Sequence, residues 1–356
     1  MNYFIILTRA CNLQCSYCGE DAAFESPPID IAYPIGALKE FLKQDEEVTI
    51  QFYGGEPLLR ISLLEEIMDT IDAAHWAIQT NALLLHKLKP TYLQRFSTIL
   101  ASIDGRQETT DSNRGVGVYK RVLENCQLVR ERGFVGDLIA RMTISEIADI
   151  YKEVTHLASL SQPAFNHIHW QLDCQWDDNP HARWHDFDGW IKHSYNPGIS
   201  RLVHWWLEYL FEGRVIGLVP FIPVMKSLLF GHSSELRCGA GIDSFAINPS
   251  GGISVCPISP EFSFSLLGDF RATTPETIRN ALTVQAPCPA CDIFGLCGGR
   301  CLFANYTKLW GEGGFQKVCG TVRHLIAELQ NIKGEVFELI KQGILSPEMF
   351  DYPTYN

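Results

Sequence analysis

Short apolar runs alternate with segments of helical periodicity through the first half of the chain. Six runs have the length and composition of β-strands, at residues 3–8, 48–53, 75–80, 98–103, 135–144 and 166–172. Between them, apolar residues recur at i, i+3 and i+4, as in 63–71, 118–129 and 147–158. Repeated β–α units of this kind predict an α/β fold, a partial (β/α)6 TIM-like barrel with a parallel sheet.

A barrel of six units is incomplete on one side, and ligand-binding residues are expected at the carboxyl ends of its strands. We predict a barrel over residues 1–185 and a helical, aromatic-rich bridge over 186–237. A cysteine-rich domain follows at 238–320, and a C-terminal helix and tail at 321–356. The chain of 356 residues is long enough for such a division.

Composition narrows the range of partners. The formal net charge of -12 disfavours nucleic acid, because binding to a phosphate backbone needs a basic surface. The most apolar later run, residues 215–230, is broken by Gly217, Pro220 and Pro223, so no membrane anchor is expected. Twelve cysteines without a secretory signal favour a reducing, cytoplasmic location in which thiols serve as metal ligands.

Three of these cysteines form a compact motif directly after the first predicted strand. Cys11, Cys15 and Cys18 have the spacing C-x3-C-x2-C. Three thiolates can hold three irons of a 4Fe-4S cluster and leave the fourth iron open for chemistry. The alternative is a zinc site, but structural zinc normally takes four ligands, and the next histidine is the distant His75.

The motif resembles the signature of the radical S-adenosylmethionine (SAM) superfamily, in which an aromatic residue precedes the third cysteine. Further segments resemble family motifs in order: GGEP after the second strand, QTN ending the third, SIDG ending the fourth, and GVYKRV after it. At QTN, Ala82 replaces the family's glycine. The resemblance implies that the cofactor-binding residues are Tyr17, Gly54, Gly55, Glu56, Pro57, Asn81, Ser102, Asp104 and Arg121.

By this resemblance, one electron cleaves bound SAM and yields a 5'-deoxyadenosyl radical. An external one-electron donor, flavodoxin or ferredoxin, is the expected partner, and exposed clusters imply oxygen sensitivity and anaerobic function. No catalytic acid or base can be assigned. Polar residues of the kind of Tyr53, His169, Asp173 and Asp177 are more often structural than functional.

Seven more cysteines lie close together near the C-terminus, and their density is hard to explain by core packing. Paired zinc sites are the structural alternative, because C-x2-C also occurs in zinc ribbons. The series resembles the SPASM extension of radical SAM enzymes that modify peptides and proteins, which implies two auxiliary clusters and three 4Fe-4S clusters in all. The seven are Cys238, Cys256, Cys288, Cys291, Cys297, Cys301 and Cys319.

Family connectivity would place Cys288, Cys291, Cys297 and Cys319 on a distal cluster. Cys238, Cys256 and Cys301 would then hold an inner cluster that lacks a fourth ligand. His232 occupies the position from which fully ligated members draw that ligand, and Cys174 is a second candidate. The alternative for His232 is an ordinary solvated loop histidine, and if neither residue binds, the open iron could take the substrate directly.

Three functions are compatible with these motifs. The first is hydrogen abstraction from a peptide or protein side chain, as in peptide modification; a short precursor gene beside this one would favour it. Oxidation of a small molecule is the second, and a non-catalytic iron-sulfur or zinc protein the third. Pro257 replaces the aspartate that sulfatase-maturing members carry there, which disfavours sulfatase maturation. The ten residues before Cys11 are too few for a leader-binding domain.

Overall fold

Six parallel strands form the barrel, and their order along the sheet follows their order along the chain. The computed structural model describes residues 1–19, 28–173, 184–260, 262–308 and 310–352. All six predicted strands are confirmed, with ends that shift by at most two residues. They are β1 (Asn2–Thr8), β2 (Thr49–Gly54), β3 (His75–Thr80), β4 (Thr98–Ser102), β5 (Asp137–Ile144) and β6 (His167–Leu172).

The later part of the chain extends this sheet at both edges. β7 (Gly217–Leu218) pairs in parallel with β6, and β8 (Ser244–Ile247) pairs in parallel with β1. β9 (Gly252–Ser254) and β10 (Leu266–Asp269) continue the sheet in antiparallel fashion. The predicted bridge and cysteine-rich domain therefore share one sheet with the barrel, while the four-part division itself stays a prediction.

Helices cover the outer face of the barrel and fill the space beside it. The bridge is helical, as predicted, with a π-helical turn at Ile191–Tyr195 between α7 and α8. The described helices are α1 (Ile35–Leu42), α2 (Ile61–Thr70), α3 (Pro90–Leu93), α4 (Gln107–Arg114), α5 (Val118–Glu131), α6 (Ile150–Ser159), α7 (Phe187–Trp190), α8 (Asn196–Phe211), α9 (Ile222–Phe230), α10 (Pro275–Ile278), α11 (Phe294–Cys297), α12 (Leu302–Thr307), α13 (Gly311–Asn331) and α14 (Lys333–Lys341).

Both faces of β1 are buried, which explains why its sequence is apolar throughout. Tyr3, Ile5 and Leu7 belong to the large core between the sheet and the helices. Phe4 points the other way and packs edge-on against Tyr53, with ring centroids 5.7 Å apart. The strands thus present one row of side chains to the helices and the alternate row to the barrel interior.

In the described part of the chain, no helix combines the length and the apolar character needed to cross a bilayer.

Candidate functional site

One large cavity, of about 1300 Å³, occupies the barrel interior and reaches the cysteine-rich region. The three cysteines of the N-terminal motif line it, and so do Cys238, Cys256, Cys297 and Cys301. Small-molecule sites usually measure about 300–1,000 Å³. The cavity therefore has room for a cofactor and for part of a substrate.

The N-terminal cysteine loop is held in place by backbone contacts. Ser16 N–H donates to the carbonyl of Asn113 over 2.8 Å, and Glu56 N–H donates to that of Ala10 over 2.9 Å. Leu13 N–H donates to Cys11 Sγ over 3.4 Å, a bond that favours a thiolate. Burial raises the pKa of the metal-free Cys15 thiol to about 11.

Three thiols fixed this way at the edge of an open cavity are a donor set that suits a 4Fe-4S cluster with one open iron.

The GGEP segment brings the ends of β1 and β2 into close contact. A Cβ at Gly54, where φ is +138°, would lie 2.1 Å from the Thr8 carbonyl oxygen. At Gly55 a Cβ would lie 2.4 Å from the Ala10 carbonyl oxygen. Only glycine fits at either position, and both glycines line the cavity.

Glu56 and Pro57 of the same segment do not line the cavity. The Glu56 carboxylate is fully buried and accepts hydrogen bonds from Leu58 N–H, Thr80 Oγ1 and Asn81 N–H. Burial raises its pKa to about 7, against the opposing effect of these donors. Glu56 therefore ties the ends of β2 and β3 together, and its direct contact with SAM stays a prediction.

Asp104 does not face the cavity, contrary to the prediction that it contacts SAM. It is fully buried and accepts two bonds from the guanidinium of Arg114, at 3.0 and 2.9 Å. Tyr17, Asn113 and the backbone of Thr143 donate to the same carboxylate. A buried arginine needs such a counter-ion, so this aspartate serves structure rather than ligand binding.

Ser102 and Asn81 lie in the cavity as predicted, whereas Arg121 does not. Arg121 is exposed on α5, where its Nε donates to the Gly117 carbonyl over 3.4 Å. The predicted contact between Arg121 and SAM therefore has no support in the structure. The physical reason is the phase of α5, which places this position on the outer face of the helix.

The sequence analysis missed Arg141. It lies directly across from Ser102 in the register of β4 and β5, and lines the cavity with it. His169 follows across from Arg141 on β6. Burial lowers the pKa of the Arg141 guanidinium, yet no ion pair to it is found among the described residues. The alternation of Arg141 and Thr143 with Ala140 and Met142 along β5 is the signal that could have revealed it.

Asn81, directly after β3, forms hydrogen bonds with the N-terminal cysteine loop. Its side-chain amide donates to Asn12 Oδ1 over 2.7 Å and approaches Cys11 Sγ to 3.9 Å. Ala82, at the place of the family's glycine, has a φ of +63°, so the backbone still adopts the left-handed conformation there. Asn81 thus supports the cysteine loop despite the substitution.

The C-terminal cysteines separate into two sets. Burial raises the pKa values of Cys238 and Cys256, and Cys301 raises both further by its charge. In the second set, burial raises the pKa of Cys319 to about 11, with further contributions from Cys288, Cys297 and Cys291. These mutual effects group the cysteines in the same way as the family connectivity, and their assignment to two clusters stays a prediction.

The four cysteines of the second set are Cys288, Cys291, Cys297 and Cys319, which can satisfy a cluster completely. Two side chains donate to their sulfurs: Asn305 Nδ2 to Cys288 Sγ over 3.4 Å, and Arg323 Nη2 to Cys291 Sγ over 3.0 Å. Hydrogen bonds to cysteine sulfurs are typical of iron-sulfur sites. Among the described side chains, no three converge closely enough to hold a single metal ion.

The structure does not place either candidate fourth ligand beside Cys238, Cys256 and Cys301. His232 is exposed, lies near the ring of Phe230 and does not line the cavity. Cys174 and Asp177 lie outside the described residues. Cys238, Cys256 and Cys301 all line the cavity, so a group held by them would face the same space as the N-terminal cysteines.

Comparison with known proteins finds similarity over the N-terminal half of the chain. Residues 5–153 match the model of the radical SAM superfamily. An uncharacterized protein of Methanocaldococcus jannaschii is 35% identical over 94 residues, which are 24% of this chain and 32% of that protein. The radical SAM cyclopropyl synthase TigE of Paramaledivibacter caminithermalis is 22% identical over 151 residues, which cover 36% of this chain and 32% of TigE.

The matches to the first two curated relatives span 32% and 56% of their lengths.

Solved structures resemble the whole chain. The structure of native anSMEcpe with bound AdoMet and Cp18Cys peptide has a TM-score of 0.71 at 17% identity, and covers 94% of this chain and 99% of that one. Streptococcus suis SuiB bound to precursor peptide SuiA has a TM-score of 0.56 at 15% identity, and covers 84% of this chain and 71% of that one.

The fold and the cysteine-lined cavity define an α/β barrel enzyme with a cysteine-rich C-terminal extension. More particularly, residues 5–153 match the radical SAM superfamily that the N-terminal motifs resemble, and the fold resembles that of anSMEcpe. The match to the radical SAM superfamily implies SAM and a 4Fe-4S cluster as cofactors, and the placement of that cluster at Cys11, Cys15 and Cys18 stays a prediction.

Proposed function

We propose that this protein cleaves SAM reductively and abstracts hydrogen from a side chain of a peptide or protein. The observation that carries the proposal is the shared cavity, which joins Cys11, Cys15 and Cys18 to Cys238, Cys256 and Cys301. A radical formed at one end would meet a substrate that also reaches the inner cysteines.

The N-terminal part of the cavity would bind SAM. A 4Fe-4S cluster there supplies the electron that cleaves the sulfonium. The backbone at Gly54 and Gly55 approaches this space without side chains, and Ser102 and Arg141 stand side by side in it. A guanidinium beside a hydroxyl suits a carboxylate, so these two residues would orient the methionine end of SAM.

The C-terminal cysteines would hold two further clusters, giving three in all. Cys238, Cys256 and Cys301 leave one ligand position unassigned among the described residues. Because these three cysteines line the cavity, a cluster held by them could take its fourth ligand from a substrate bound there. The distal set has four thiols and would hold its cluster closed.

The rim of the cavity beside the inner cysteines favours a peptide substrate with apolar side chains. Pro257, Ile258 and Pro260 follow Cys256 and line the cavity. Phe262 is 38% exposed and packs edge-on against Phe303, with ring centroids 5.1 Å apart. Extended apolar surface open to solvent usually marks a binding site. The two similar structures also contain peptides, namely Cp18Cys and SuiA.

The first test is anaerobic reconstitution with iron and sulfide, then iron counting and mass spectrometry for 5'-deoxyadenosine after addition of SAM and dithionite. About twelve irons and the nucleoside are expected from three 4Fe-4S clusters. The triple variant Cys11→Ala, Cys15→Ala, Cys18→Ala should form no nucleoside. Bound zinc with no cleavage of SAM would refute the proposal.

The substrate class needs a separate measurement. Extract from the host cells should increase the rate of 5'-deoxyadenosine formation. If the substrate is a peptide or protein, digestion of the extract with proteinase removes the increase. An increase that survives digestion and passes a small-pore filter would instead indicate oxidation of a small molecule.

A further inference from the structure

Arg323 is a cation in direct contact with a cysteine sulfur of the distal set. It lies on α13, one helical turn after Cys319, and its Nη2 donates to Cys291 Sγ over 3.0 Å. The same guanidinium donates to both carboxylate oxygens of Asp292, over 2.6 and 3.1 Å. Arg323 is therefore fixed by two partners against the Cys291 sulfur.

Asp292 places a negative charge at the same sulfur. Its Oδ1 lies 3.6 Å from Cys291 Sγ. The side chains of Arg323 and Asp292 are 45% and 72% exposed, so solvent screens both charges, and their effect on the sulfur depends on the short contacts. The cysteine sulfur thus has one cation and one anion of opposite electrostatic effect within hydrogen-bonding reach.

We propose that Arg323 raises the reduction potential of the cluster held by Cys288, Cys291, Cys297 and Cys319, and that Asp292 limits the increase. The inference rests on the three-cluster function proposed above. Reduction adds one electron from an external low-potential donor, makes or breaks no bond, and increases the negative charge on the cysteine sulfurs. A charged donor on one sulfur stabilises the reduced state more than the oxidised state.

Shifts of the reduction potential in opposite directions in two variants distinguish this role from a structural one. Arg323→Gln can keep an N–H donor but removes the positive charge, so the potential should fall. Asp292→Asn removes the negative charge, so the potential should rise. A purely structural disturbance of the loop would give no such inversion.

The experiment is a potentiometric titration of the reconstituted holoenzyme, followed by electron paramagnetic resonance. In Arg323→Gln, the midpoint potential of one of the three cluster signals should fall by about 59 mV. This equals a tenfold change in the reduction equilibrium for one electron. The other two signals serve as internal references. Arg271→Gln is the matched control, because Arg271 forms a similar exposed pair with Asp269, and the cysteines are not among its hydrogen-bond partners.

Shifts of the same sign in Arg323→Gln and Asp292→Asn, or shifts below threefold in both, would overturn the proposal. If Arg323→Gln loses the cluster, Arg323→Lys is tested instead, because it keeps the positive charge. Its reduction equilibrium should stay within threefold of wild type, and a tenfold fall would contradict the role of charge. Iron counting distinguishes a failure of this proposal from a failure of the three-cluster function. Wild-type protein with only about eight irons overturns this proposal together with the three-cluster function, whereas twelve irons and unmoved potentials overturn this one alone.

Discussion

Tyr17 donates a hydrogen bond of 2.7 Å to Asp104 and so links the residue before Cys18 to the end of the fourth strand. The ring of Tyr17 also lies against the guanidinium of Arg114, 5.3 Å from its centroid. Tyr17 thus anchors the N-terminal cysteine loop to the buried ion pair of Asp104 and Arg114. These contacts tie the cysteine loop to the barrel.

Asp104→Ala should destabilise the protein by about 3–5 kcal/mol, because it leaves the buried Arg114 without a counter-ion. Tyr17→Phe removes a single hydrogen bond and should cost about 1 kcal/mol. The free energy of unfolding in urea measures both. Asp69→Ala is the control, since its pair with Arg95 is exposed and should contribute less than about 1 kcal/mol. Equal losses in Asp104→Ala and Asp69→Ala would contradict this account.

Gly55→Ala should reduce SAM cleavage at least tenfold and cost about 1–3 kcal/mol, because the new methyl group would overlap the Ala10 carbonyl oxygen. Rates of 5'-deoxyadenosine formation and denaturant unfolding check the two effects. Gly36→Ala, in α1, meets no atom within 4 Å and should stabilise the protein by up to about 1 kcal/mol. Normal activity in Gly55→Ala would show that the close approach is not required.

Glu56 should make the protein less stable as pH rises. Its pKa of about 7 in the folded state exceeds the usual 4.5, so the folded protein holds the proton more tightly than the unfolded chain. This contribution is complete below about pH 4.5 and disappears as pH rises through about 7. Between pH 5 and 8, wild type should lose on the order of 2 kcal/mol through this group.

Glu56→Gln should abolish that part of the pH dependence, measured as the free energy of unfolding at each pH. Glu338→Gln changes an exposed carboxylate and serves as the control. Parallel pH profiles for wild type and Glu56→Gln would argue against a raised pKa.

Arg141 and Arg121 should respond differently to mutation. Arg141→Gln is expected to raise the KM for SAM tenfold or more, because a charge-assisted bond to a carboxylate contributes about 1.5–3 kcal/mol. Arg121→Gln should change it less than twofold, since that side chain is exposed outside the cavity. The assay is nucleoside formation at varied SAM concentration. The reverse ranking would restore the assignment made from sequence.

The two auxiliary cysteine sets should lose iron independently. Cys301→Ala and Cys319→Ala should each remove about four irons, and the two together about eight. Cys256→Ala combined with Cys301→Ala should remove only about four, because both belong to one set. Iron analysis after reconstitution decides. A loss of about eight irons in the second pair would mean that the sets are assigned wrongly.

The sequence was sufficient for the parts that depend on local pattern. The strands could be read from short apolar runs, and the metal chemistry from cysteine spacing, because ligands close in sequence are close in space. The predicted C-terminal helix is present, as α13 and α14 with a break at Ile332. Such local features need no knowledge of distant contacts.

The motifs could not show where each side chain points. Asp104 and Arg121 matched family segments, yet one points into a buried ion pair and the other into solvent. Arg141 matched no motif and still lies beside Ser102, because strand register places it there.

The sequence by itself determined the barrel strands and the cysteines available for clusters, since these follow from local pattern and spacing, and its motifs carried the resemblance to radical SAM enzymes. Only the tertiary structure decided which side chains share the cavity, how β8 joins the later cysteines to the first strand, and why Arg323 contacts Cys291. These relations connect residues far apart in the chain, and packing and strand register, rather than local pattern, fix them.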